Sequence, residues 1–273
     1  MQGMSRRFGC ATRVVVAFAL VAAAAGLVAR HELSGTPGQF CHVLPVRGTG
    51  STGYELDLSQ AANASTIAAV GKRLGLPNHA VTIALAAAML ESKLHNLTYG
   101  DRDSLGLFQQ RPSQGWGTPA QILTPRYAAR VFFEHLARVA NWQTLPVTVA
   151  AQRVQRSALP NGYAQKEGEA RALASALTGE VSGGMACRAD ISNAPPTSSL
   201  TDAIAAEVGP AVLGTPLPSA RGWTLSLWLV GHAVDFRVTS VTFGGMGWKA
   251  SRGTWLADSS ATATVAYETR PTR

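Results

Sequence analysis

The chain has 273 residues with 24 basic and 16 acidic side chains, a net charge of +8; 46% of its residues are hydrophobic and only 15% are charged. That length and apolar content suit one large or two modest folded domains, and the charge content is low for a cytosolic soluble protein. The positive excess is +4 in residues 1–53, +3 in 54–190 and +1 in 191–273. No lysine/arginine run or basic stripe marks a nucleic-acid surface, so the mild positive balance points instead to an anionic polymer.

Residues 1–13 hold Arg6, Arg7 and Arg13, and an apolar stretch from Val14 to Val28 follows, closed by Arg30. The positive flank predicts that the N-terminus stays in the cytoplasm. Residues 14–29 are therefore expected to be a membrane anchor or signal segment, which makes the cytoplasmic membrane a partner and the chain a single-pass protein with an extracytoplasmic domain. The Ala22–Ala25 run leaves cleavage, and thus secretion, as the alternative. A lone span cannot form a transport path. Residues 30–53, rich in Gly, Pro, Ser and Thr, read as a linker.

Of the three cysteines, Cys10 lies on the cytoplasmic side of the apolar stretch, while Cys41 and Cys187 lie beyond it, in an oxidising compartment. A disulfide between them would tie the start of the domain to its end; two free buried thiols are the alternative.

From residue 54 the pattern is helical. Ser59–Leu74 has apolar residues at helical spacing, with Ser59 as a candidate cap and Gly75 as a stop. Asn78 is a good cap for a second helix from about His79 to His95. That helix is apolar on every side except Thr82, which predicts burial. A short helix is expected at 119–123, then helices from Pro125 to about Val139, from Pro146 to before Pro160, and over Ala164–Leu177. No strand longer than a short hairpin is expected between 54 and 180. Residues 191–199 read as a second linker. Beyond it, 200–273 read as a small α+β module without catalytic groups, with helices at Leu200–Val208 and Gly222–Val234. Strands follow at Phe236–Phe243 (with a slip near Ser240), Met246–Ala250 and Thr262–Tyr267, the first two joined by a Gly244-Gly245 turn.

The chemistry concentrates in Ala80–Pro112. A buried run ends in one acid, Glu91. A polar loop with Asp101 and Asp103 follows, then an apolar clasp from Leu105 to Phe108, then Gln109 and Gln110. Burial disfavours the ionised form of a carboxyl, which suits a proton donor at neutral pH. The six histidines show no metal-ligand spacing, and neither a Gly-x-Ser-x-Gly elbow nor a phosphate loop occurs. No metal and no cofactor is expected.

Glu91-Ser92 followed by Gly106-Leu107-Phe108-Gln109 resembles the soluble lytic transglycosylase branch of the lysozyme-like superfamily. There Glu-Ser ends a buried helix and Gly-Leu-Met-Gln follows a polar stretch. Ala150 to Ser157, followed by Tyr163, stands where that family has Ala-Tyr-Asn-Ala-Gly. It is more similar to an Ala-Gln-x-Val-Gln variant of some actinobacterial and phage-tail lysozyme-like domains. The resemblance covers about 54–190 and implies a mainly α, lysozyme-like α+β domain acting on the glycan strand of peptidoglycan. It implies Glu91 as a lone acid and then base, assisted by the substrate's N-acetyl group, with a sugar hydroxyl as attacking group. Most glycosidases use a second carboxylate, for which Asp101 and Asp103 are the candidates. Ser92, Tyr99, Gln109, Trp116, Gln152, Gln155 and Tyr163 are the expected substrate contacts. The alternative is a lysozyme-like domain without catalysis that binds cell wall or an envelope protein.

Overall fold

Helix α1 (Leu58–Arg73) starts where Asp57 and Gln60 close a capping box: the Asp57 carboxylate accepts from the Gln60 N–H at 2.8 Å, and the Gln60 carboxamide oxygen accepts from the Asp57 N–H at 2.9 Å. The cap is thus Asp57 rather than Ser59, whose hydroxyl donates to Asp57. The computed structural model describes residues 38–46, 48, 53–157, 161–192, 199–209 and 213–271. The expected anchor at 14–29, most of the linker at 191–199 and parts of the 30–53 linker lie outside them. Among the described residues the fold is mixed α+β, with eight α-helices and two small antiparallel sheets. No helix among them is long and apolar enough to cross a membrane.

Helix α2 (Asn78–Ser92) is the hub. Every residue from Ala80 to Met89 is buried, because α1, α4 (Pro125–Ala137), α5 (Val147–Gln155) and α6 (Glu167–Leu177) all pack against it. An all-round apolar helix needs such a complete jacket. Asn78 does not cap it; Pro77 holds that place, and the Asn78 side chain accepts from Lys72 Nζ and donates to Glu180. The helix stops at Ser92, three residues short of His95. Lys93 and Leu94 turn left-handed (φ 54° and 65°), and the Leu94 N–H returns to the Ala88 carbonyl. A short α3 (Pro119–Ile122) precedes α4, and a 3₁₀ turn (Gly162–Lys166) precedes α6, where a single helix was expected from Ala164.

Phe40–Val43, read from sequence as linker, is instead β1, the central strand of a three-stranded sheet with β2 (Tyr54–Leu56) and β3 (Met185–Arg188). Four residues with alternating burial are too short to stand out in a Gly/Pro-rich stretch. Cys41 faces Cys187 across this pair, and the two are joined in a disulfide.

Residues 200–273 add α7 (Leu200–Glu207), α8 (Ser219–Gly231) and a second sheet in the order β6-β5-β4-β7: β4 (Val238–Phe243), β5 (Met246–Lys249), β6 (Trp255–Ala257), β7 (Ala266–Thr269). The slip near Ser240 is a bulge between Val238 and Ser240. The last strand falls later than Thr262–Tyr267, and Trp255–Ala257 is a strand the alternation did not signal. Helix α8 packs on α1 and α6, and Gln39–Arg273 is one compact unit. Two buried indoles bond across to the first sheet: Trp248 Nε1 donates to the Cys187 carbonyl at 2.9 Å and Trp255 Nε1 to the Met185 carbonyl at 3.0 Å. The C-terminal residues therefore help to hold β3, and through the disulfide β1, in place.

Candidate active site

Helix α2 carries Glu91 to a cleft of about 920 Å³. Glu91 is half-buried. The hydroxyl of Tyr163 donates to its Oε1 at 2.5 Å, across 72 positions of sequence. Tyr163 is fully buried. Burial above all, then the hydrogen bond and charge of Glu91, push its phenol well above the usual tyrosine range, with a hydrogen bond from Ser157 acting the other way. The phenol therefore keeps its proton and serves as a fixed donor to the carboxylate. Gly162 lets the 3₁₀ turn come this close: a Cβ there would lie 2.7 Å from Leu90 Cδ2.

The clasp is held from several sides. Leu105 and Gln110 exchange two backbone hydrogen bonds at 3.0 Å. Between them Leu107 and Phe108 enter the core, and Phe108 stacks on Phe132 with centroids 4.6 Å apart. Ser92 is buried, and its hydroxyl bonds to the Leu107 carbonyl (2.8 Å) and the Ala88 carbonyl (3.1 Å). It fastens the end of α2 to the clasp and does not line the cleft. Gln155 Nε2 donates to the Phe108 carbonyl at 2.7 Å and ties in α5. Gln152 Nε2 donates to the Ser157 carbonyl at 2.8 Å and closes the end of the same helix. The chain thereby fixes the position of Glu91 from α2, the clasp and α5 together, as a site needing defined proton geometry requires.

The remaining expected residues separate. Gln109 and Gln155 line the cleft, as do Trp116 and Asp101. Gln109 adopts φ 47°, and its Nε2 donates to the Gly106 and Tyr99 carbonyls at 3.2 and 3.3 Å. Tyr99 is 71% exposed and outside the lining. Asp101 is almost fully exposed at the rim, beside Arg102. Asp103 is engaged elsewhere: it accepts from Arg111 Nε at 2.7 Å and from the Ser113 N–H at 2.8 Å. Those two partners, Arg111 first, hold its carboxyl well below the usual carboxylate range. Asp103 braces the loop and is not among the cleft-lining residues.

Sequence reasoning set Gln110 below Gln109 as a contact and did not single out His135, Arg111, Arg138, Arg153 and Arg156, yet all six line the cleft. Trp116 stacks on the His135 ring at 3.9 Å. Burial first, then Arg138, lowers the proton affinity of that ring, which keeps it neutral against the indole. Gln110 is 2% exposed and donates to the Ala128 carbonyl at 3.1 Å. The one local signal was the Gln-Arg pair repeated three residues apart at the end of α5, Gln152-Arg153 and Gln155-Arg156, which lines one helix edge with polar groups. His135 lies within α4, apart from the motif segments, and gave none.

Chemically, the site offers one half-buried carboxylate with a phenolic donor, carboxamides able to hydrogen-bond hydroxyl and amide groups, and the edge of a mostly buried indole stacked on His135. Among the described residues no cluster of three or more His, Cys, Asp or Glu could hold a metal ion. Compared with known proteins, the chain matches no family model and no curated protein sequence.

Proposed function

We propose that the chain is an exported enzyme with a lysozyme-like fold that cleaves the glycan strand of peptidoglycan, in the manner of a lytic transglycosylase or lysozyme. The observation that carries the reading is the hydrogen bond from buried Tyr163 to Glu91, which lines the cleft. The Glu-Ser and Gly-Leu-Phe-Gln segments that suggest the family are also the ones that position this carboxylate.

In this reading protonated Glu91 donates to the glycosidic oxygen and then, ionised, takes a proton from the attacking hydroxyl. The phenol of Tyr163 stabilises the carboxylate between those steps. Asp103 is committed to Arg111 and Ser113, and Asp101 stands almost fully exposed beside Arg102, so the single-acid route is favoured over a carboxylate pair. Gln109, Gln155 and Trp116 bind the sugar. The apolar stretch at 14–29 anchors the domain outside the cytoplasmic membrane, or directs secretion once cleaved.

The test is incubation of the purified protein with peptidoglycan sacculi, followed by chromatography of the released fragments. The expected outcome is 1,6-anhydro or reducing-end products, abolished in Glu91→Gln with an unchanged melting temperature. Binding to sacculi without products would replace the enzyme by an inert wall-binding domain.

A further inference from the structure

One wall of the cleft is basic. Arg138 follows the last turn of α4, and Arg153 and Arg156 end α5. All three side chains are exposed. Helix C-termini attract cations, which explains basic residues at each end separately but not the convergence of two such ends on one concavity. Arg111, elsewhere in the lining, is matched by Asp103. Arg153 donates to the Ala140 carbonyl at 3.4 Å. Among the described residues no carboxylate lies within ion-pair reach of Arg138, Arg153 or Arg156; Glu134, one turn before Arg138, is instead paired with Arg130. Arg138 and Arg156 both act on His135, the ring stacked on Trp116, with Glu134 opposing them from the helix side; all but Glu134 line the cleft. Unmatched guanidinium groups beside an aromatic floor suit a ligand with carboxylates held on a chain of modest polarity.

We propose that this wall binds the carboxylates of the short peptides carried by the glycan strand, so that the cleft prefers peptide-bearing over peptide-free polymer. The proposal rests on the peptidoglycan reading above and adds a specificity to it. The sugar binds along the Glu91 side, and the peptide crosses toward the ends of α4 and α5. Charged contacts of this kind weaken with salt.

The test uses the full chain carrying Glu91→Gln, so that binding is measured without turnover. The probes are sacculi stripped of phosphate-containing wall polymers, the same sacculi after amidase removal of the peptides, and sacculi that retain the phosphate polymers. Peptide-bearing material is expected to bind about tenfold more tightly than peptide-free material, the scale of one charge-assisted contact. Adding Arg138→Gln and Arg156→Gln is expected to bring peptide-bearing affinity down to the peptide-free level, with an unchanged melting temperature. Equal affinity for the two stripped polymers overturns the proposal while leaving the enzyme reading intact. So does an equal loss on both in the arginine variant, or a preference that appears only when phosphate polymers remain. Absence of binding to every polymer, with no turnover by the unsubstituted protein, removes the peptidoglycan reading and this proposal with it.

Discussion

Replacing Tyr163 by phenylalanine removes one oxygen and leaves a fully buried ring in place. The structure assigns that oxygen a single outgoing bond, to Glu91 Oε1 at 2.5 Å. A hydrogen bond to a charged group is worth about 1.5–3 kcal/mol. If the bond strengthens as Glu91 becomes ionised on proton donation, up to the whole of that sum falls on the rate. At about 1.4 kcal/mol per decade it lowers kcat roughly 10- to 100-fold. Substrate binding is little affected, because the hydroxyl is buried behind Glu91 and is not in the cleft lining. KM is therefore expected to change less than threefold or so. Stability should fall by only about 1–2 kcal/mol, since the ring still fills its site and water can reach the half-exposed Glu91. The assay is initial-rate release of fragments from sacculi, with a denaturant melt on the same preparations. A cycle of Tyr163→Phe, Glu91→Gln and the double variant then isolates the pair, with an expected coupling of about 1 kcal/mol in stability. A kcat within twofold of the parent, or a coupling near zero, refutes the assignment of Tyr163 as the partner that holds Glu91.

Other predictions concern the frame around the site. The Cys41–Cys187 disulfide closes a separation of 146 residues, so chain-entropy arguments give about 5 kcal/mol; a reductant or the Cys41→Ala, Cys187→Ala pair should lower the urea midpoint accordingly, and an unchanged midpoint would show that the sheet alone holds the termini of the domain. Gly179 sits at φ 78°, and a Cβ there would lie 2.2 Å from the Ala220 carbonyl; Gly179→Ala should force α8 away from the end of α6 and cost more than about 2 kcal/mol, readable as a drop in melting temperature. Asp103 has its carboxyl held low by Arg111 and Ser113, so its contribution is fully present above the ordinary carboxylate range and is lost as pH falls below about 4. Asp103→Asn should accordingly be less stable than the parent at pH 6, with the difference vanishing in acid. A gap that persisted at low pH would mean the loss comes from packing rather than charge.

The local chemistry of the site was legible where one stretch contains it. The buried run ending in Glu91 and the clasp at Leu105–Phe108 are strong because apolar periodicity and punctuation are local properties. Both are where the pattern placed them; the packing of Phe108 on Phe132 is what the fold adds. Helix ends were less legible, because a cap is a geometric competition: Asp57 outcompetes Ser59 by pairing with Gln60, and Pro77 takes the place that Asn78 would fill. Short strands were the least legible. Phe40–Val43 has meaning only beside Met185–Arg188, some 145 residues later, and nothing within the four residues announces that partner.

The roles inside the site divide along the same line. Tyr163 was expected to touch substrate because an aromatic residue near a glycan site so often stacks on sugar. Its place in the fold is instead behind the carboxylate, bonded to it from a 3₁₀ turn that Gly162 allows to close on Leu90. A fixed donor to Glu91 has to occupy a point in space, about one hydrogen bond from Oε1, and the chain is free to reach that point from any segment that packs on α2. This separates the geometry of the site from the sequence of its later motif. The departure from Tyr-Asn-Ala-Gly around Ala150–Ser157 therefore does not by itself argue against catalysis, since Gln155 still secures the clasp and Tyr163 still meets the acid. Under the proposed reading, the pair Glu91 and Tyr163 is where an enzyme and an inert wall binder part: substituting them removes turnover in the first and leaves glycan binding unchanged in the second.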